Sequence, residues 1–279
     1  MKIYSYQNPI SKFRNKFAIS MMTVLVASTV IACGKSEDVL VTEIGVNPPA
    51  SPTASPSTPS DYYIEGQYKH LRGDLQGAIA SYSQGIQLQP DYALAYNSRG
   101  LAHFDAGNRK AAIADYNQAI RLNSFYAEAY NNRGNARAAD NEQDSAIADY
   151  DRAISLRKNY AEAYNNRGNA YASKGNQNRA IEDYNQAIRI NSKYAVAYNN
   201  LGNAYSAKKD FDKAIENYNQ AIRLNSNFAA AYNNRGNAYA ALEQKQQALQ
   251  DLRTAASIFR KQNNQQLYKK VESNIQDLN

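Results

Sequence analysis

Residues 161–194 read AEAYNNRGNAYASKGNQNRAIEDYNQAIRINSKY, and variants of this stretch recur along the chain with a step of 34 residues. Tyr62, Tyr96, Tyr130, Tyr164, Tyr198 and Tyr232 mark the register, as do Gly66, Gly100, Gly134, Gly168, Gly202 and Gly236. Ala78, Ala112, Ala146, Ala180, Ala214 and Ala248 keep the same step. A fixed period of this length is the signature of an array of helical hairpins. With the first residue of a unit as position 1, Tyr, Gly and Tyr at positions 4, 8 and 11 form one face of a first helix. In 161–194 these are Tyr164, Gly168 and Tyr171, followed by a Gly175–Asn176 turn. Ala180, Ile181, Tyr184, Ala187 and Ile188 then carry the stripe of an amphipathic second helix. Small residues at positions 8, 20 and 27 predict close approach of the paired helices.

The pattern resembles the tetratricopeptide repeat. The resemblance covers six units, 59–92, 93–126, 127–160, 161–194, 195–228 and 229–262. It implies an all-α fold, a right-handed α-solenoid of six helix-turn-helix units. Leu267, Val271, Ile275 and Leu278 predict a C-terminal capping helix within 263–279 that covers the last unit. Tyr replaces the family's Trp at position 4. Arg99, Arg133, Arg167 and Arg235 replace Leu at position 7, where Leu201 alone conforms. An arginine there is expected to bury its methylene stem and send its guanidinium to water.

Residues 1–32 read as a secretory signal peptide. Lys2, Lys12, Arg14 and Lys16 supply four of the seven net positive charges, and 16 uncharged, mostly apolar residues follow from Phe17 to Ala32. The run ends in Val30-Ile31-Ala32-Cys33, which resembles the bacterial lipoprotein lipobox and implies cleavage after Ala32 with acyl chains on Cys33. An uncleaved membrane helix and an ordinary signal peptide are the competing readings of the same run; about 20 residues span a bilayer. All three send the repeats across the membrane. Gly34, where Asp would signal inner-membrane retention, favours the outer membrane. Cys33 is the only cysteine, which excludes an intramolecular disulfide and a multi-cysteine metal site. Residues 33–58 form a Pro/Ser/Thr-rich linker, in which Pro48, Pro49, Pro52 and Pro56 favour extended polyproline II. The 26 residues from Lys35 to Ser60 reach roughly 80 Å.

The asparagines of the first helices point to function. Position 5 carries Asn97, Asn131, Asn165, Asn199 and Asn233; position 6 carries Asn132, Asn166, Asn200 and Asn234; position 9 carries Asn135, Asn169, Asn203 and Asn237. Asparagine is a poor helix former, and several in one helix break local preference. The resemblance implies that positions 2, 5, 6, 9, 12 and 13 line a concave groove. Its position-6 residues resemble the asparagine ladder of O-linked N-acetylglucosamine transferase, whose amides hold an extended peptide. Each amide offers one acceptor and two donors, matching a peptide bond. Asn132, Asn135, Asn166, Asn169, Asn200, Asn203, Asn234 and Asn237 are therefore the candidate peptide-groove residues. Near-identity of the units allows the bland alternative that one such segment was copied by duplication. By helix propensity, alanine at the position-6 sites is expected to leave stability intact.

No nucleophile motif, phosphate loop or metal-ligand spacing is present, and His70 and His103 stand in different units. The expectation is a non-enzyme with no catalytic residue, cofactor, metal or small-molecule substrate. The neutral, faintly acidic groove, with Glu128 and Glu162 at position 2, argues against nucleic acid. The reading is thus a membrane-anchored envelope adaptor that holds a protein or extended peptide. The alternative is a structural, pilotin-like subunit that binds folded partners by its convex face.

Overall fold

The computed structural model describes residues 56–278, which hold 13 helices and no strand. They form two compact bodies, one ending at Lys174 and the other starting at Gly175. The first contains α1 (Pro59–Leu71), α2 (Leu75–Leu88), α3 (Ala93–Asp105), α4 (Arg109–Leu122), α5 (Ala127–Ala139), α6 (Gln143–Leu156) and α7 (Ala161–Ser173). The second contains α8 (Gln177–Ile190), α9 (Ala195–Ala207), α10 (Phe211–Leu224), α11 (Ala229–Ala241), α12 (Lys245–Lys261) and α13 (Gln265–Leu278). Within each body every helix packs on the next along the chain. First helices also touch the first helix of the neighbouring unit, α1 on α3, α3 on α5, α5 on α7, and α9 on α11. This is the α-solenoid expected from the period.

The ends of the elements follow from local chemistry. At α1, Pro59 occupies the first turn, where its missing N–H is no loss. Thr58 accepts from the Asp61 N–H while the Asp61 carboxylate accepts from the Thr58 N–H, a capping box at 3.1 and 2.9 Å. Asp74, Asn176 and Asp210 cap second helices through their side chains. Each intra-unit turn needs a left-handed residue at position 15. Gly175 meets it at φ 80° without strain, whereas Asn141, Lys209 and Glu243 adopt 63°, 64° and 61° at the same position.

The invariant glycine faces a tyrosine. A Cβ on Gly134 would lie 2.6 Å from Tyr150 Cε1, and one on Gly202 would lie 2.5 Å from Tyr218 Cε1. Tyr82, Tyr116, Tyr150 and Tyr218 at position 24 are fully buried, flanked by the buried small residues of positions 20 and 27, alanines except for Gly85 beside Tyr82. The tyrosine ring thus fills the volume that the glycine leaves. In the sixth unit Leu252 takes the tyrosine's place, and its side chain joins Phe259, Val271 and Ile275 in the core that α13 closes.

Position 7 corrects the sequence expectation. The guanidiniums of Arg99, Arg133 and Arg235 turn to a buried aspartate at position 23 on the second helix of their own unit. Arg99 Nε and Nη2 donate to Asp115 at 2.9 and 2.7 Å. Arg133 donates to Asp149 at 3.0 and 2.6 Å, and Arg235 to Asp251 at 2.7 and 2.7 Å. The hydrogen bond to Asp115 holds the Arg99 guanidinium above its ordinary pKa. Each guanidinium also lies over the position-4 tyrosine ring of its own helix, at 5.5 Å for Tyr96, 5.4 Å for Tyr130 and 5.5 Å for Tyr232. The remaining nitrogen donates to position 25 of the preceding second helix, which is Ser83 for Arg99, Asn117 for Arg133 and Asn219 for Arg235. The bidentate aspartate is the reason the guanidinium stays in: it satisfies two donors at once in a half-dry site.

Candidate functional site

The asparagines lie on the flank of the first helix opposite the tyrosine-arginine face, because positions 5, 6 and 9 are separated from 4, 7 and 11 by the 100° step of the helix. The structure brings them together as rungs between neighbouring units. Asn132 Nδ2 donates to Asn97 Oδ1, Asn166 Nδ2 to Asn131 Oδ1, and Asn234 Nδ2 to Asn199 Oδ1, each at 3.1 Å. The rung acceptors Asn97, Asn131 and Asn199 are buried, and so are Asn165, Asn200 and Asn234. Asn132 and Asn166 are half-buried.

Position 9 is tied to the core instead. The Tyr150 hydroxyl donates to Asn135 Oδ1 at 2.8 Å, and the Tyr218 hydroxyl donates to Asn203 Oδ1 at 2.9 Å. Burial pushes the Tyr218 phenol far above its ordinary pKa, so the proton stays available for that bond. Asn203 Oδ1 also accepts from Asn234 Nδ2 at 2.9 Å. Asn169 and Asn200 are engaged as well. Two atoms at the end of the ladder are buried and unbonded. One is Asn237 Nδ2, in the unit where Leu252 replaces the tyrosine whose hydroxyl donates to the position-9 Oδ1 of the third and fifth units. Asn233 Oδ1 is buried and unbonded because the next position-6 residue is Tyr268 rather than asparagine.

Much of the expected hydrogen-bonding capacity is therefore used within the protein. What stays open in the first body is an acceptor, Asn132 Oδ1, and a donor, Asn135 Nδ2, on the same flank of α5. Beside them stand small side chains: Ala139 and Ser173 are exposed and Ala138 and Ala172 half-buried, with Ser206 and Ala207 the equivalents on α9. Glu128 at position 2 is ion-paired with Arg157. Among the described residues no group of three or more His, Cys, Asp or Glu side chains is placed to hold a metal ion. Cys33 and the apolar run before it lie outside the described residues.

The rungs also correct the stability expectation for position 6. Alanine at Asn234 removes both donors of its amide and orphans the buried Asn199 Oδ1. An orphaned buried acceptor costs about 1–3 kcal/mol, against a helix-propensity gain of at most about 0.7 kcal/mol. Asn234→Ala is therefore expected to lower the free energy of urea unfolding by about 1–2 kcal/mol. An unchanged midpoint and slope would show that the rung carries no stability.

Family models described as TPR repeat match residues 61–107, 102–141, 134–175, 168–209 and 202–243, and one described as tetratricopeptide repeat matches 228–262. The crystal structure of MamA is 32% identical over 58% of this chain and 94% of its own, with a TM-score of 0.52. PilF of Pseudomonas aeruginosa is 15% identical over 77% of this chain and 97% of its own, with a TM-score of 0.65. YrrB, described as a TPR protein with an unusual peptide-binding site, is 20% identical over 63% and 91%, with a TM-score of 0.50. The last two likenesses are of fold. No curated protein matches the chain in sequence.

Proposed function

Because this chain belongs to the tetratricopeptide-repeat family, we propose that it is a lipid-anchored adaptor of the cell envelope, holding an extended segment of a protein partner along the asparagine flank of its first helices. The observation that carries the reading is the open pair on α5. Asn132 Oδ1 and Asn135 Nδ2 remain after the internal bonds are made, one acceptor and one donor facing the same side over small neighbours. An extended backbone presents one N–H and one C=O per residue and can satisfy both groups without its side chains being read. The flank is neutral, in keeping with a peptide rather than an anionic polymer. The adaptor has no catalytic role in this reading. The anchor rests on the lipobox-like Val30-Ile31-Ala32-Cys33 and on the proline-rich linker that follows it.

The test leaves the rungs alone. Ala139, Ser173 and Ala207 are exposed on the flank at position 13, so arginine at all three obstructs it without removing an internal bond. In cross-linked envelope fractions the Ala139→Arg/Ser173→Arg/Ala207→Arg chain is expected to recover its partner at least tenfold less than the parent, with unchanged helical circular dichroism. Cys33→Ser is expected to move the protein from the membrane to the soluble fraction. Full recovery by the triple variant would overturn the flank and favour a structural subunit that engages partners through its second helices. A membrane-bound Cys33→Ser chain with an unprocessed N-terminus would overturn the lipid anchor.

A further inference from the structure

The fifth unit departs from the arginine register in a way that leaves a site behind. Leu201 stands at position 7 and Asn217 at position 23, where other units carry the arginine and its aspartate. A cleft of about 460 Å³ opens there on the tyrosine side of α9. Its walls include Leu201 at position 7, where other units carry the arginine, and the three positions that surround a guanidinium elsewhere: Tyr198 at position 4, Asn217 at 23, and Asn185 at position 25 of the preceding second helix. The equivalents around Arg133 are Tyr130, Asp149 and Asn117, and those around Arg235 are Tyr232, Asp251 and Asn219.

The acceptors of the seat are retained. Asn217 Nδ2 donates to the Lys213 carbonyl at 2.8 Å, which leaves its Oδ1 to accept. Asn185 occupies the position from which Asn117 and Asn219 accept a guanidinium nitrogen. Glu216 lines the cleft and is exposed. Of the two cations on the rim, Lys213 is held by Asp210 at 2.8 Å and lies over the Tyr205 ring, and Arg223 is the other.

We propose that this cleft receives an arginine side chain from a protein partner. The guanidinium would stack on Tyr198 as the internal arginines stack on their tyrosines, and donate to Asn185 Oδ1, Asn217 Oδ1 and the Glu216 carboxylate. A planar fork of five donors fits separated acceptors and a ring face together, whereas an ammonium is a compact point charge. The site lies on the side of the first helix opposite the asparagines and does not depend on their binding a peptide.

The test uses the full-length chain, with N-acetyl-arginine methylamide as the probe and its citrulline and lysine counterparts as controls, followed by NMR shifts of labelled Tyr198, Asn185 and Asn217. The arginine probe is expected to give saturable shifts with a dissociation constant on the order of millimolar, and the citrulline and lysine probes at least tenfold weaker ones. Leu201→Arg/Asn217→Asp rebuilds the internal pair, fills the seat, and is expected to abolish the response while keeping the fold. Asn185→Leu leaves the core untouched and is expected to weaken the response roughly threefold or more. An absent or unsaturable arginine response, an equal response to citrulline, or an undiminished response in Asn185→Leu or in the folded double variant would overturn the proposal.

Discussion

Asp149→Ala is expected to lower the free energy of unfolding by about 3–5 kcal/mol, the range for breaking a buried ion pair from one side. The Asp149 side chain is 4% exposed and accepts from Arg133 at 3.0 and 2.6 Å and from Arg137 at 2.8 Å. Without the carboxylate, two half-buried guanidiniums face each other with nothing between them. The fifth unit supplies the control, because it carries leucine and asparagine at the same two positions. Arg133→Leu/Asp149→Asn removes the bidentate pair and leaves Arg137 as the one cation there, and it is expected to recover at least half of the loss. Urea unfolding followed by circular dichroism reads both variants. A single-variant loss below about 1 kcal/mol, the range of a surface pair, would mean that the ion pair is incidental.

Tyr218→Ala is expected to cost about 3–5 kcal/mol, as for other buried aromatics cut to alanine. The ring is 1% exposed and fills the space over Gly202, so its removal opens a cavity between α9 and α10. Tyr218→Phe keeps the ring and loses only the hydroxyl bond to Asn203, which predicts a loss of about 1 kcal/mol. Comparable losses in thermal unfolding for the two variants would mean that the hydroxyl, rather than the filled volume, is what the site requires.

The glycine, alanine and tyrosine positions were readable because steric fit repeats with the period, and the stripe of Leu267, Val271, Ile275 and Leu278 marked α13 to its ends. The arginine-aspartate pair was missed because Asp115 and Asp149 sit on the flank of an apolar stripe, where a charge reads as solvated. The signal was nevertheless in the chain: Arg and Asp occur together at positions 7 and 23 of the second, third, fourth and sixth units and are lost together at Leu201 and Asn217. The asparagine rungs were hidden for another reason. They join position 6 to position 5 of the preceding unit, a separation of 35 residues, so a register that aligns each residue with its own kind never sets the two partners side by side. The left-handed turns at Asn141, Lys209 and Glu243 carry no glycine to announce them.

A rung made from the same two side chains at successive junctions has a consequence for how such a chain changes length. If residues 127–160 were excised as a block, Asn166 would meet Asn97 across the new junction, with the same donor and acceptor that Asn132 and Asn97 use now. Loss or gain of one whole period leaves the chemistry of the joint as it was, whereas a shift by any other number of residues destroys it. Unequal exchange between copies of the coding sequence is therefore forgiven only in steps of 34 residues, and the number of units is freer to drift than the make-up of any one of them.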